Sequence, residues 1–307
     1  MKQFLDQNFL LSNKVAEQLY HNYAKDQPII DYHCHLSTAD INNNRKFTDI
    51  TEAWLEGDHY KLRAMRTCGV DEIFITGNAL AKEKFKKWAE VVPKTLRNPL
   101  YHWTHIELQR YFGIHKLLDA KSANEIYQQT SSQLQSHDFS CSGLLKKMKV
   151  EVVCTTDDPT DNLVHHMQVN HKNEDLKMLP TFRPDKAYAF DNYKDYKSYL
   201  EKLETVSNIS IQSLSDLLSV LSSRIDYFHS LGGRLADHGL ENIPLNSHQH
   251  NPEKVFDNLL AGKRISTEEE ETLRYHILIE LGKIYHAKGW TQQYHLGAIR
   301  NNSERMM

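Results

Sequence analysis

His33 and His35 stand in Asp31-Tyr32-His33-Cys34-His35, which closes an apolar run opening at Ile29-Ile30. Side chains alternate faces along a β-strand, so two histidines two positions apart point the same way, about 7 Å apart. Two imidazoles so placed can share one divalent ion or ligand. Histidine is common in this chain, 18 among 307 residues, so the bare pair is too short to be specific. Further ionisable residues close later apolar runs: Thr155-Thr156-Asp157-Asp158, Arg183-Pro184-Asp185, Asp237-His238, and His295 with Arg300 close behind. A guanidinium binds a carboxylate through two parallel hydrogen bonds, which gives Arg183 and Arg300 a chemistry in common. His238 reads two ways, as a ligand at a strand end or as a hydrogen-bonded core histidine. Asp157-Asp158 before Pro159 also fits a plain turn and helix cap.

These residues act together only if the chain delivers them to one end of a sheet. Strand-length apolar runs are predicted over 29–35, 150–155, 177–182, 234–238 and 290–296. Between the later ones lie helical patterns. Leu214, Leu217, Leu218, Leu221, Ile225 and Phe228 recur three or four apart and stop at Gly232-Gly233. Ser266 with Glu269 makes a capping box before Leu273, Ile277, Leu281 and Ile284, and Gly289 ends that helix. Alternating strand and helix predicts an α/β fold with a parallel sheet, whose strand carboxyl ends form the ligand crevice. The stretch 36–143 breaks the rhythm. It is long, charged and helical, with Trp54, Trp88 and Trp103 scattered through it and breaks at Pro93 and Asn98-Pro99. It reads as a helical insertion within a single domain spanning 1–307. Trp54, Trp103 and Tyr294 read as core aromatics.

Composition narrows the partners. With 40% apolar and 25% charged residues the chain is globular, and its net charge of −3 offers nothing to attract nucleic acid or a membrane surface. Four cysteines without a C-x-x-C suit a reducing compartment, and no export or membrane-spanning segment is present in the sequence, so the expected location is cytoplasmic.

Five blocks then resemble one family in its own order: Asp31-Tyr32-His33-Cys34-His35-Leu36, Trp54-Leu55-Glu56-Gly57-Asp58-His59-Tyr60-Lys61, Asn98-Pro99-Leu100-Tyr101-His102-Trp103, Leu179-Pro180-Thr181-Phe182-Arg183-Pro184-Asp185, and Gln292 through Asn302. They are similar to uronate (glucuronate) isomerase of the amidohydrolase superfamily. The resemblance implies a distorted (β/α)8 TIM-like barrel that interconverts D-glucuronate with D-fructuronate and D-galacturonate with D-tagaturonate through an enediolate. It implies His33 and His35 as ligands of a weakly held divalent metal, zinc being the expected ion. Of two expected catalytic residues, Tyr60 resembles the family's proton-transfer residue and His295 a substrate or metal contact, and Arg183, Arg300 and His238 are expected to bind the small hexuronate.

Chains of that family continue past the segment ending here at Arg305-Met306-Met307, through the last barrel strands and a catalytic aspartate. The resemblance therefore implies a barrel incomplete at its C-terminus and a chain inactive for want of that aspartate. Open strand edges would make it marginally stable or drive it into a homo-oligomer. Two other readings remain: a metal-dependent hydrolase of the same superfamily, disfavoured by arginine and Asp157-Asp158 at the middle strand ends, and a non-catalytic uronate-binding fragment.

Overall fold

The apolar runs form a single five-stranded sheet in the computed structural model, which describes residues 4–172, 175–245 and 249–297. Its strands are β1 (Ile29–Asp31), β2 (Val150–Asp157), β3 (Lys177–Phe182), β4 (Leu235–Leu240) and β5 (Thr291–Leu296), side by side in that order. From β2 to β5 neighbouring strands are parallel, with Cys154 opposite Leu179, Phe182 opposite Ala236 and Gly239 opposite His295. Parallel neighbours need long crossovers, and the helices supply them: Val164–Lys172, then Tyr193–Ser207 and Leu214–Ser230, then Pro252–Leu260 and Thr267–Ala287.

Local sequence sets the helix ends. The Ser213 hydroxyl accepts from the Asp216 N–H, and Ser266 with Glu269 closes both bonds of the expected capping box. After Leu214–Ser230 the chain turns at Gly232, whose φ of 95° lies in the region that favours glycine. Leu217, Leu221, Ile225 and Phe228 of that helix pack with Phe182, Ala236, Tyr285 and Trp290 in the core between sheet and helices. Each fully buried Phe or Leu there contributes roughly 1.5–3 kcal/mol.

The chain divides into two compact units, 1–29 with 43–151, and 30–42 with 152–307. This differs from the expectation of one domain at 1–307 with an insertion at 36–143. The physical reason is a second core: Trp88, Phe85, Trp54, Met65, Leu108 and Ile126 bury one another, so the helical segment coheres by itself, and Phe4 of the N-terminal stretch packs on its Tyr101 and His105. Within it Asn98 caps the helix Pro99–Phe112, accepting from the Leu100 N–H, with Pro99 in the first turn where a missing N–H costs nothing. Trp103 and Tyr294, expected in cores, are 51% and 42% exposed. Among the described residues no helix is long and apolar enough to cross a membrane.

Candidate active site

β1 is shorter than expected, ending at Asp31, so His33 and His35 lie in the irregular segment beyond it. Two hydrogen bonds hold that segment against β2: the Cys34 N–H donates to the Cys154 carbonyl at 3.0 Å, and the Thr156 hydroxyl donates to the Cys34 carbonyl at 2.8 Å. The two imidazoles meet edge to face with ring centroids 5.0 Å apart.

Strand alternation decides what faces them. On β4, Asp237 and Gly239 share one face while His238 takes the other, and register sets Gly239 beside His295 of β5 and His238 beside Tyr294. The His295 ring lies 4.7 Å from that of His33, although their strands stand at opposite ends of the sheet order. The Gln293 side-chain amide also donates to the Tyr32 carbonyl at 3.3 Å. The sheet is therefore curled tightly enough to bring its two ends together on one face.

Asp237 is the centre of this face, fully buried on β4. Its Oδ2 accepts from Arg183 Nη1 at 2.9 Å and lies 4.0 Å from His33 Nδ1. Its Oδ1 lies 2.9 Å from His295 Nε2, yet off hydrogen-bond alignment. Asp237 Oδ1 and His33 Nδ1 are thus both buried without a hydrogen-bond partner, a costly arrangement unless something else meets them. One ligand atom from each of His33, Asp237 and His295 falls within 4.8 Å of the others. Two imidazole nitrogens and one carboxylate oxygen suit a borderline divalent ion such as zinc, with positions left open for substrate. His35 lies beside this cluster and outside it. Burial, then the neighbouring His33 and Arg183, pull the His35 pKa down, so its ring is neutral near pH 7.

A second network anchors the arginine. Arg183 Nε donates to Asp185 Oδ2 at 2.8 Å, and Asp185 also accepts from the Tyr188 hydroxyl at 2.7 Å and the Gly239 N–H at 3.1 Å. Burial pulls the guanidinium pKa down, but Asp185 and Asp237 outweigh it and hold it above its ordinary value. The single Tyr188 proton goes to Asp185, so the His238 Nδ1–H must donate to Tyr188 at 2.9 Å. This assigns the His238 tautomer. Burial lowers the His238 pKa to about 4, and its ring stacks against Tyr188 and Tyr294 at 6.1 and 5.1 Å. Of the two readings open at the sequence level, the structure places His238 as a core histidine.

Of the expected site residues, the structure brings together His33, His35, Arg183 and His295. Tyr60 is exposed in the first turn of the helix His59–Thr67 in the helical unit, just after its cap Asp58. Arg300 lies outside the described residues. Asp237, Asp185, Tyr188 and Gly239 were not singled out from sequence. Asp237 and Asp185 were visible only as polar strand ends, and nothing in Leu235–Leu240 marks which face each residue takes.

The family model for glucuronate isomerase matches residues 1–307. The chain belongs to that family. It is 47% identical to a uronate isomerase of Bacteroides fragilis, the match covering all of this chain and 66% of that one. A uronate isomerase of Oceanobacillus iheyensis is 46% identical over 100% of this chain and 65% of its own. Among solved structures, uronate isomerase from Thermotoga maritima superposes with a TM-score of 0.91 at 33% identity, covering 99% of this chain and 67% of that one. Glucuronate isomerase from Caulobacter crescentus gives 0.87 at 23% identity, over 98% and 65%, a likeness of fold alone. The parallel strands thus form a half-barrel of the TIM type matching these structures, and the chain spans 66% and 65% of the length of the two uronate isomerases compared by sequence.

Proposed function

We propose that this chain carries the metal-binding and acid-binding parts of a uronate isomerase site, acting on D-glucuronate and D-galacturonate. The observation that carries the reading is the meeting of His33, Asp237 and His295 on the face where Arg183 is held. Isomerisation of an open-chain uronate moves a proton from C2 to C1 through an enediolate, with no net oxidation. It needs proton carriers, a donor or cation at the carbonyl oxygen, and a cationic group for the carboxylate.

His33, Asp237 and His295 would hold a divalent ion, which when bound supplies a positive charge to polarise the substrate oxygen. Arg183 binds the carboxylate or adjoining hydroxyls, together with Arg300. Tyr60 carries a proton, a role that rests on the family motif. His238 steadies Tyr188 behind the strand instead of touching substrate.

Charge makes the ion matter for binding as well. Arg183 is already flanked by the carboxylates of Asp185 and Asp237. Two carboxylates against one guanidinium leave these three groups net negative, which disfavours an anionic sugar acid until a cation joins them.

Calorimetric titration of the chain with glucuronate and galacturonate, with zinc or cobalt and again with a chelator, tests the reading. Binding heats that vanish with the chelator are expected. No heat at millimolar uronate in the presence of metal would contradict it. Ketose formation in the same samples would extend the result from binding to turnover.

A further inference from the structure

A side chain on Gly239 would occupy the place where the Arg183 guanidinium sits. A Cβ built there meets Arg183 Nη2 at 2.6 Å, closer than real carbon contacts come, and Asp185 Oδ2 at 3.0 Å, a tight contact. The Gly239 backbone is not left-handed, so no local turn demands glycine at this point. What the missing Cβ provides is room.

We propose that Gly239 is a positioning residue whose bare Cα seats Arg183 so that Nη2 is offered to the carboxylate of the sugar acid. Nε is committed to Asp185 and Nη1 to Asp237. Nη2 has no hydrogen-bond partner among the described residues, and it lies over Gly239, the register neighbour of His295. The arginine thus has two edges locked to protein and one corner free beside the cluster. Asp185 is fixed in turn by the Tyr188 hydroxyl and by the Gly239 N–H itself, so the same residue anchors the carboxylate and leaves space for its partner. Specificity for an acid over a neutral sugar then depends on an absent methyl group on β4 as much as on the arginine. This inference rests on the uronate reading of the site.

Gly239→Ala separates this role from a merely structural one through its coupling to Arg183. The backbone accepts alanine, but moving the guanidinium also frees buried Asp237 of its partner, so some stability is lost as well. The guanidinium is the far end of a flexible side chain, so it moves aside while the strand stays. The metal-loaded chain and its Gly239→Ala, Arg183→Lys and doubly substituted variants are titrated with galacturonate, and their thermal midpoints are compared. Expected is an affinity loss of about tenfold or more in Gly239→Ala, as for a lost hydrogen bond to a charged group, in a variant still folded at the temperature of the titration. Arg183→Lys should weaken binding in the parent but cost little more once the added methyl group on β4 has displaced the guanidinium, the non-additivity of two changes acting through one contact. Uronate affinity unchanged in Gly239→Ala, with binding by the parent intact, would overturn the inference alone. Failure of the metal-loaded parent to bind uronate would overturn the site reading, and this role with it.

Discussion

His105 in the helical unit and His33 in the sheet unit are both part of the chain's store of sheltered imidazole, and they are treated differently. His105 is buried with both nitrogens used: Nδ1–H donates to the Tyr101 carbonyl at 2.7 Å and Nε2 accepts from the Leu118 N–H at 3.0 Å. His33 keeps its buried Nδ1 without a hydrogen-bond partner, as Asp237 does its Oδ1. The same contrast holds for charge. Lys61 is buried in the helical unit against Asp58, which also caps its own helix. The sheet unit instead gathers Asp185, Asp237 and Arg183 with unequal charge around open imidazoles. In the helical unit His105 and Lys61 complete the packing, although Trp88 Nε1 and Thr104 Oγ1 there stay without a hydrogen-bond partner. In the sheet unit polar groups are left incomplete on the face where strand ends converge, and incompleteness in a buried cluster is a mark of a site built for something that arrives later.

The largest expected effect lies in the helical core. Trp88→Ala should cost roughly 3–5 kcal/mol in urea denaturation, because a fully buried indole leaves a cavity its neighbours cannot close. Next, His105→Phe should cost roughly 1–3 kcal/mol by the same measurement, since a ring of similar size strands the Leu118 N–H. A His105 variant as stable as the parent would break the comparison, for it would make the satisfied histidine no more structural than the open ones.

Glu107 is a sheltered acid of the helical unit, hydrogen-bonded by Trp54. Burial pushes its carboxyl pKa up, Lys61 partly offsets this, and Asp58 adds to the rise. A raised carboxyl favours the protonated form in the fold, so its contribution is fully present at low pH and is lost as pH rises through the folded pKa. Glu107→Gln should therefore gain on the parent at pH 8 and not at pH 4, a small effect read by its sign in paired denaturation curves. A gain at pH 4 that disappears at pH 8 would reverse the assignment.

The sequence showed the skeleton better than the faces. The runs at 150–155, 177–182 and 290–296 fall within two residues of β2, β3 and β5, because apolar blocks bounded by polar residues report burial directly. The helices ending at Gly232-Gly233 and Gly289 follow from three-and-four spacing and caps. Asp237 was harder to see. A strand of a parallel sheet is buried on both sides, so Leu235–Leu240 shows no hydropathy alternation to tell Asp237 from His238. Only register with Gln293 and Tyr294 assigns their faces, and register is a long-range property. The extent of β1 was overestimated for a related reason. The segment after Asp31 is tied to β2 by single bonds from Cys34 and Thr156, which no local propensity encodes.

The central claim is that His33, Asp237 and His295 converge to hold one divalent ion. Cobalt titration followed by visible absorption tests it most directly, because the d–d bands report nitrogen and oxygen ligands independently of turnover. One cobalt per chain is expected, with bands weakened and affinity lowered in Asp237→Asn, which removes the charged oxygen ligand. Bands and affinity identical in the parent and Asp237→Asn, or no bound cobalt in the parent, would contradict it.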